Sequence, residues 1–189
     1  MGGPGWAKRI GCLAGVLALA GAVAVGCDPL MEAMGEAAPT GPPDPCPEGG
    51  VRLLEGDGNA AMGLRVAGFQ LVNCGSAAYV LEGYPEVRLL DGQNRPVQVD
   101  IGHGTNGVTP PDGPDAPPRQ VTLQPGQAAT TSLLWRNLVT EAAGPAAEGR
   151  VLELVPKPGA PRLTLRLRAP VDLGGTGKAG LSAWSALAR

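Results

Sequence analysis

Leu163-Thr164-Leu165-Arg166-Leu167-Arg168 alternates apolar and polar residues without a break. Successive side chains of a β-strand point to opposite faces, so this stretch predicts a strand with one face on a core and one in water. Val97, Val99 and Ile101 alternate in the same way, as do Thr131, Leu133 and Trp135 within Ala128 to Trp135. Further strands are expected at Val51 to Leu54, Met62 to Val72, Tyr79 to Leu81, Val87 to Leu90, Arg119 to Leu123, Val151 to Val155 and Leu181 to Trp184. Turn-forming pairs fall between them: Asp91-Gly92, Pro125-Gly126, Pro158-Gly159 and Gly174-Gly175. Short strands at this spacing, with no long helical period, predict an all-β fold, an Ig-like antiparallel β-sandwich over residues 46–189. The thirty glycines and twenty prolines among 189 residues then belong to turns and loops rather than to disorder. Two stretches interrupt the pattern. Gly102 to Pro118 is a long Gly/Pro loop, and Leu138 to Gly149 is expected to hold a helical turn.

Residues 1–26 have the composition of a signal peptide: a short basic start with Lys8 and Arg9, then an uncharged run from Ile10 to Val25. Ala24-Val25-Gly26-Cys27 resembles the bacterial lipobox, although Ala24 stands where Leu is usual. That resemblance implies a diacylglyceryl group on the Cys27 sulfur and a new N-terminus there. Two or more acyl chains anchor a protein durably where one does so marginally. An uncleaved signal anchor and ordinary cleavage with secretion are the alternatives. Residues 27–45 read as a tether. Pro39, Pro42, Pro43 and Pro45 crowd its second half and favour extended polyproline geometry. The expected location is the extracytoplasmic face of the cell membrane, with the lipid as the membrane contact.

Of the four cysteines, Cys12 lies in the segment to be removed and Cys27 is the lipid site. Cys46 and Cys74 remain, an even pair in an oxidising compartment, and a disulfide is the expectation. Closing a loop of that length stabilises a fold by about 3 to 4 kcal/mol in the chain-entropy account. A metal or redox pair is a poorer reading, because no C-x-x-C is present and the one His is distant in sequence.

The charge balance speaks against nucleic acid. The net charge is −2; removing Lys8 and Arg9 with the signal makes the remainder more acidic, and no Lys/Arg cluster is present. Gly102-His103-Gly104-Thr105-Asn106-Gly107 and Gly175-Thr176-Gly177-Lys178-Ala179-Gly180 both fit G-x-G-x-x-G. That motif works by ending a strand and opening a helix on a pyrophosphate. The first match runs into Pro110-Pro111, and the second leaves only nine residues of chain. His103 is the sole imidazole, and no Ser sits in a nucleophile-elbow context. No catalytic residue, metal site or cofactor is expected. The rival reading is an envelope hydrolase or metal-dependent enzyme using His103 and the 102–118 loop. Arg162, Arg166 and Arg168 share one strand face and are candidate contacts for an anionic partner such as a wall polymer; a solvated outer face is the plainer reading. Trp135 and Trp184 are expected in the core.

Asn73-Cys74-Gly75, then Gly83-Tyr84-Pro85-x-Val87-x-x-Leu90-Asp91, Val121-Thr122-Leu123-x-Pro125-Gly126 and Trp135-x-Asn137 form an ordered set over Cys46 to Trp184. This set resembles that of the lipoproteins, chiefly actinobacterial, that carry domain of unknown function 4232. The resemblance implies a secreted or lipid-anchored β-sandwich and transfers no catalytic or binding residue. Many members carry extra cysteines that are absent here, so the Cys46–Cys74 pairing rests on counting. Tyr84 is expected to bury its ring at a sheet corner and to bond through its hydroxyl. Taken together, these features point to a non-catalytic binding or scaffolding module at the cell envelope, with an envelope protein or wall polymer as partner.

Overall fold

A computed structural model describes residues 45–110, 117–138 and 146–187. The expected signal peptide, Cys27 and nearly all of the tether lie outside these residues. Among the described residues there are eleven strands and no helix: β1 Val51–Ala61, β2 Leu64–Asn73, β3 Tyr79–Leu81, β4 Glu86–Leu90, β5 Asp100–His103, β6 Val121–Leu123, β7 Ala128–Arg136, β8 Glu148–Val155, β9 Leu163–Asp172, β10 Lys178–Leu181 and β11 Ser185–Ala186. One layer is a sheet in the order β1-β2-β7-β10-β5, with β11 continuing beside β7. Opposite it lie the sheet β4-β8-β9 and the two-stranded sheet β3-β6. Phe69, Leu71, Leu133 and Trp135 of the first layer share one buried core with Leu89, Leu152 and Leu154 and with Leu81 and Leu123. The all-β sandwich read from the sequence is the fold.

Alternation is the cause in β7 and β9, whereas of the alternating Val97, Val99 and Ile101 only Ile101 lies in a strand, β5. On β7, Ala129, Thr131, Leu133 and Trp135 are buried while their neighbours are half-exposed. On β9, Leu163, Leu165 and Leu167 turn inward, and Thr164, Arg166 and Arg168 are exposed. Each buried Leu on such a face contributes about 1.5 to 3 kcal/mol of transfer free energy.

Four expectations change. First, β1 runs to Ala61, well past Leu54, through the strand-poor Gly56-Asp57-Gly58-Asn59. Its pairing with β2 slips by a bulge between Glu55 and Gly58. Gly68 opposite makes room for that bulge, since a Cβ there would run into the Asp57 carbonyl oxygen. Second, Met62 is a turn residue. Met62 (φ 44°) and Gly63 (φ 77°) are the two left-handed residues of a hairpin joining paired Ala61 and Leu64, the geometry of a type I′ turn. Third, the last expected strand is displaced: β10 occupies Lys178–Leu181 and β11 only Ser185–Ala186, and β10 pairs with β5 in parallel, so the sandwich is not wholly antiparallel. Fourth, within the 138–149 stretch β8 begins at Glu148 and is extended there, while residues 139–145, where the rest of the expected helical turn falls, lie outside the described residues.

The end of the sandwich where the chain enters is organised by Asn73, a buried polar residue. Its Nδ2 donates to the carbonyls of Ala77 and Leu123, both at 2.8 Å, and its Oδ1 accepts from Gly75 N–H at 3.1 Å. Its backbone N–H donates to Gln127 and its carbonyl accepts from Gly126. The adjacent Cys74 is bridged to Cys46 with the two Cα atoms 5.6 Å apart, as the cysteine count implied. Asp91 organises the turn after β4. Its carboxylate accepts from the backbone N–H groups of Gln93 and Arg95 and from the Arg95 guanidinium.

Asn73→Ala leaves two carbonyls and an N–H without their partner and is expected to destabilise the domain by about 2 to 4 kcal/mol in chemical unfolding. Met62→Asn suits the left-handed turn better and is expected to stabilise by about 0.5 to 1 kcal/mol, read as a higher Tm. The Arg95 backbone N–H, helped by the Gln93 N–H and the Arg95 side chain, holds the Asp91 carboxyl below the usual carboxylate range. A depressed folded value means stabilisation that is present above the unfolded pKa of about 4 and lost as pH falls through the folded value. The Tm difference between the wild type and Asp91→Asn is therefore expected to shrink steadily on acidification below about pH 4.

Candidate functional site

The two sides of the sandwich are closed differently. On the β1–β9 side the bulge aims Glu55 at β9, where its Oε2 accepts from the Arg168 backbone N–H at 2.9 Å and faces the Arg168 guanidinium at 3.1 Å. On the opposite side the closure is made by the connector Gly83-Tyr84-Pro85 between β3 and β4. Gly83 takes φ 75°, a conformation that favours glycine. Its carbonyl then accepts from Trp184 N–H at 2.9 Å, while the indole Nε1 of Trp184 donates to the Pro156 carbonyl at 3.0 Å. Trp184 is thereby buried between the layers.

A cleft of about 570 Å³ is lined by Tyr84, Gly104, Pro117 to Val121 and Ser182 to Ala186. A second, of about 520 Å³, lies between the β6–β7 turn and the chain end and is lined by residues from Thr122 to Leu187. They share Ala186. Such concave, mostly apolar sites with a few polar groups are where small ligands and peptide segments bind. Arg119, exposed at the mouth, is the one charged residue among the described lining residues.

The residues singled out by sequence fall as follows. His103 is exposed, but it is not a loose loop residue. It ends β5, and its ring lies flat on Tyr84 with centroids 3.8 Å apart and planes 3° from parallel. Tyr84 is half-buried at the rim of the first cleft and meets His103 through its ring face, rather than closing a sheet corner through a buried hydroxyl. Arg166 and Arg168 stand on the outward side of β9 and Arg162 is exposed just before it, yet two of the three are engaged. Arg162 shares Glu153 with Arg88, at 3.7 and 3.8 Å, and Arg168 holds Glu55. Arg166 alone has no acidic partner among the described residues. Exposed pairs of this kind add little stability, and here they offset the charge of the stripe. Both G-x-G-x-x-G matches fail by structure as they did by context. Asn106 of the first donates through Nδ2 to the carbonyls of Asp100 and Ala179, tying β5 to β10, and the second runs into β10 itself. Among the described residues no group of three or more His, Cys, Asp or Glu is placed to hold a metal ion.

The ordered motif set is architectural. Trp135 Nε1 donates to the Asp172 carbonyl at 2.8 Å, and Asn137 Nδ2 donates to the Asp172 carboxylate at 2.7 Å, so Trp135-x-Asn137 fastens β7 to the end of β9. Asn73 and Gly126 join β2 to the β6–β7 turn. The cleft was missed by sequence reasoning because its walls come from segments about a hundred residues apart. Pro117-Pro118-Arg119 carries no motif, and Ser182-Ala183-Trp184 reads as strand.

Among curated proteins and among solved structures nothing matches the chain significantly. Residues 46–185 match the family described as Domain of unknown function (DUF4232), whose ordered motifs build the sandwich's hydrogen-bonded joints, and the chain belongs to that family.

Proposed function

We propose that this protein is a lipid-anchored, extracytoplasmic sandwich that acts as a non-catalytic binding or scaffolding module at the cell envelope. The observation that carries the reading is the Cys46–Cys74 disulfide at the point where the chain enters the domain. Structural disulfides persist in oxidising compartments, which agrees with a signal peptide ending at Cys27. The disulfide also makes the entry point rigid. The Pro45 carbonyl accepts from the Arg52 guanidinium at 3.1 Å just before it, which holds Pro45 to β1. The clefts on the open side supply a surface for a partner, and the motifs of the family are engaged in holding the fold.

The anchoring half is tested by fractionating producing cells. Cys27→Ala is expected to move the protein from the membrane to the soluble fraction and to abolish the mass of a diacylglyceryl group. Membrane-bound protein that still carries Met1, or a Cys27→Ala protein anchored as before, overturns it. The binding half is tested by crosslinking intact cells, with a dominant partner expected for the anchored protein and its loss expected for Cys27→Ala.

A further inference from the structure

The two outward faces of the sandwich are unlike. On the second layer the outward positions of β4, β8 and β9 include Glu86, Arg88, Glu153 and Arg166. On the first layer Leu53, Leu71 and Leu133 are buried in the core, so by alternation Leu54, Val66, Val72 and Leu134 point outward. Leu54 is exposed and the other three are half-exposed. The outward row of β2 reads Leu64, Val66, Gly68, Gln70 and Val72, with no charge in it. Arg52 and Asp57 on β1 and Arg136 at the end of β7 stand at the margins of this tract. A sheet face in water ordinarily turns polar residues outward, and an uncharged apolar tract there marks a contact surface.

The tract has relief on both flanks. Beside β7, residues 104–108 lie over the outward side of β5 and β10. The Asn106 side chain takes the place of a Gly102 Cβ, the Gly104 carbonyl takes that of a Gly180 Cβ, and the Val108 carbonyl accepts from Arg136 Nε at 3.0 Å. On the other flank the β1 bulge rises where the Asp57 carbonyl oxygen takes the place of a Gly68 Cβ. β2 runs down the middle, between β1 and β7.

We infer that this tract is the contact surface for a second copy of the chain, packed face to face about a two-fold axis that runs along β2. That axis lays β1 of each copy over β7 of the other. Each 104–108 ridge then falls outside the other copy's β1, and each bulge meets Ser132, a small residue level with Gly68. Arg52 comes opposite Ala128 and Arg136 opposite Ala61, so no like charges meet. Val66 and Val72 lie beside the axis and face their own counterparts. The strands of the two sheets stay nearly aligned, as twisted sheets prefer when stacked. Both Cys46 ends also point the same way, which two copies anchored in one membrane require; the inference goes beyond the cleft and takes only this orientation from the anchored reading. Three strands about 4.8 Å apart and about ten residues long offer roughly 500 Å² per copy. That is the small end for a specific pair, and sharing a membrane raises its effective concentration.

The test uses two differently tagged full-length copies made in the same cells and extracted in mild detergent. Wild-type copies are expected to co-purify. Val66→Glu in both, or Val66→Arg in both, sets like charges against each other and is expected to cut co-purification about tenfold or more. One Val66→Glu copy with one Val66→Arg copy is expected to restore it. Val66→Cys is expected to give a crosslinked dimer on intact cells with a short bis-maleimide, and Arg166→Cys, on the other outward face, is not; this arm decides if the charged variants unfold. Co-purification that ignores the charge variants, or equal crosslinking from both cysteine variants, overturns the two-fold, as does the absence of both signals. Crosslinking of Val66→Cys to a different protein gives the face to that protein and overturns the second copy, while supporting the module reading. Fractionation of Cys27→Ala judges the anchor separately, since the charge swap reads the face whether or not the protein is anchored.

Discussion

The amide of Asn73 is the constraint from which the chain-entry end of the sandwich follows. One buried side chain satisfies the carbonyl of Ala77 before β3, the carbonyl of Leu123 at the end of β6 and the N–H of Gly75. Its own backbone meets Gly126 and Gln127 in the turn that opens β7. A buried polar group is costly unless all its partners are present, and here they come from two segments, the loop after β2 and the stretch from the end of β6 into the β6–β7 turn. Those segments have to arrive together. The disulfide one residue on, and the Cys74 N–H bonded to the Gly50 carbonyl, add the start of β1 to the same joint.

The other joints have the same character. Trp135 and Asn137 both close on Asp172, and Trp184 closes on Gly83 and Pro156 through its two N–H groups. Each is a polar bond placed where the apolar core ends, and each ties one layer to the other. The hydrophobic core supplies the bulk of the free energy but is nondirectional. These bonds select one arrangement of the two layers from the many that would bury the same leucines.

The two sides of the sandwich have different physical consequences. Where Glu55 meets Arg168, a bulge and a charge-assisted hydrogen bond complete the edge of β9. At β11 the last tie to the second layer is Trp184, and β6 lies close beside β11 with no ladder between them among the described residues. Natural proteins cover or charge such edges, as Lys157 does for β3 with its ammonium on the Val80 carbonyl and 4.0 Å from the Tyr79 ring centroid.

Local pattern alone determined the all-β class, the inward faces of β7 and β9, the burial of Trp135 and Trp184 and the pairing of Cys46 with Cys74. Those features follow from alternation, side-chain size and counting, all of which are written in consecutive residues. The course of β1 through Gly56 to Asn59 was not legible, because those residues are strand-forming only with β2 alongside and with Gly68 opposite to admit the bulge. The parallel meeting of β5 and β10 was hidden for the same reason: it is a contact between segments about eighty residues apart. Likewise the stacking of His103 on Tyr84 and the engagement of two arginines of the outer stripe were decided only in the tertiary structure. A strand's inward face is set by its own period of two, but what lies beside its edge is set by whichever distant segment the joints bring there.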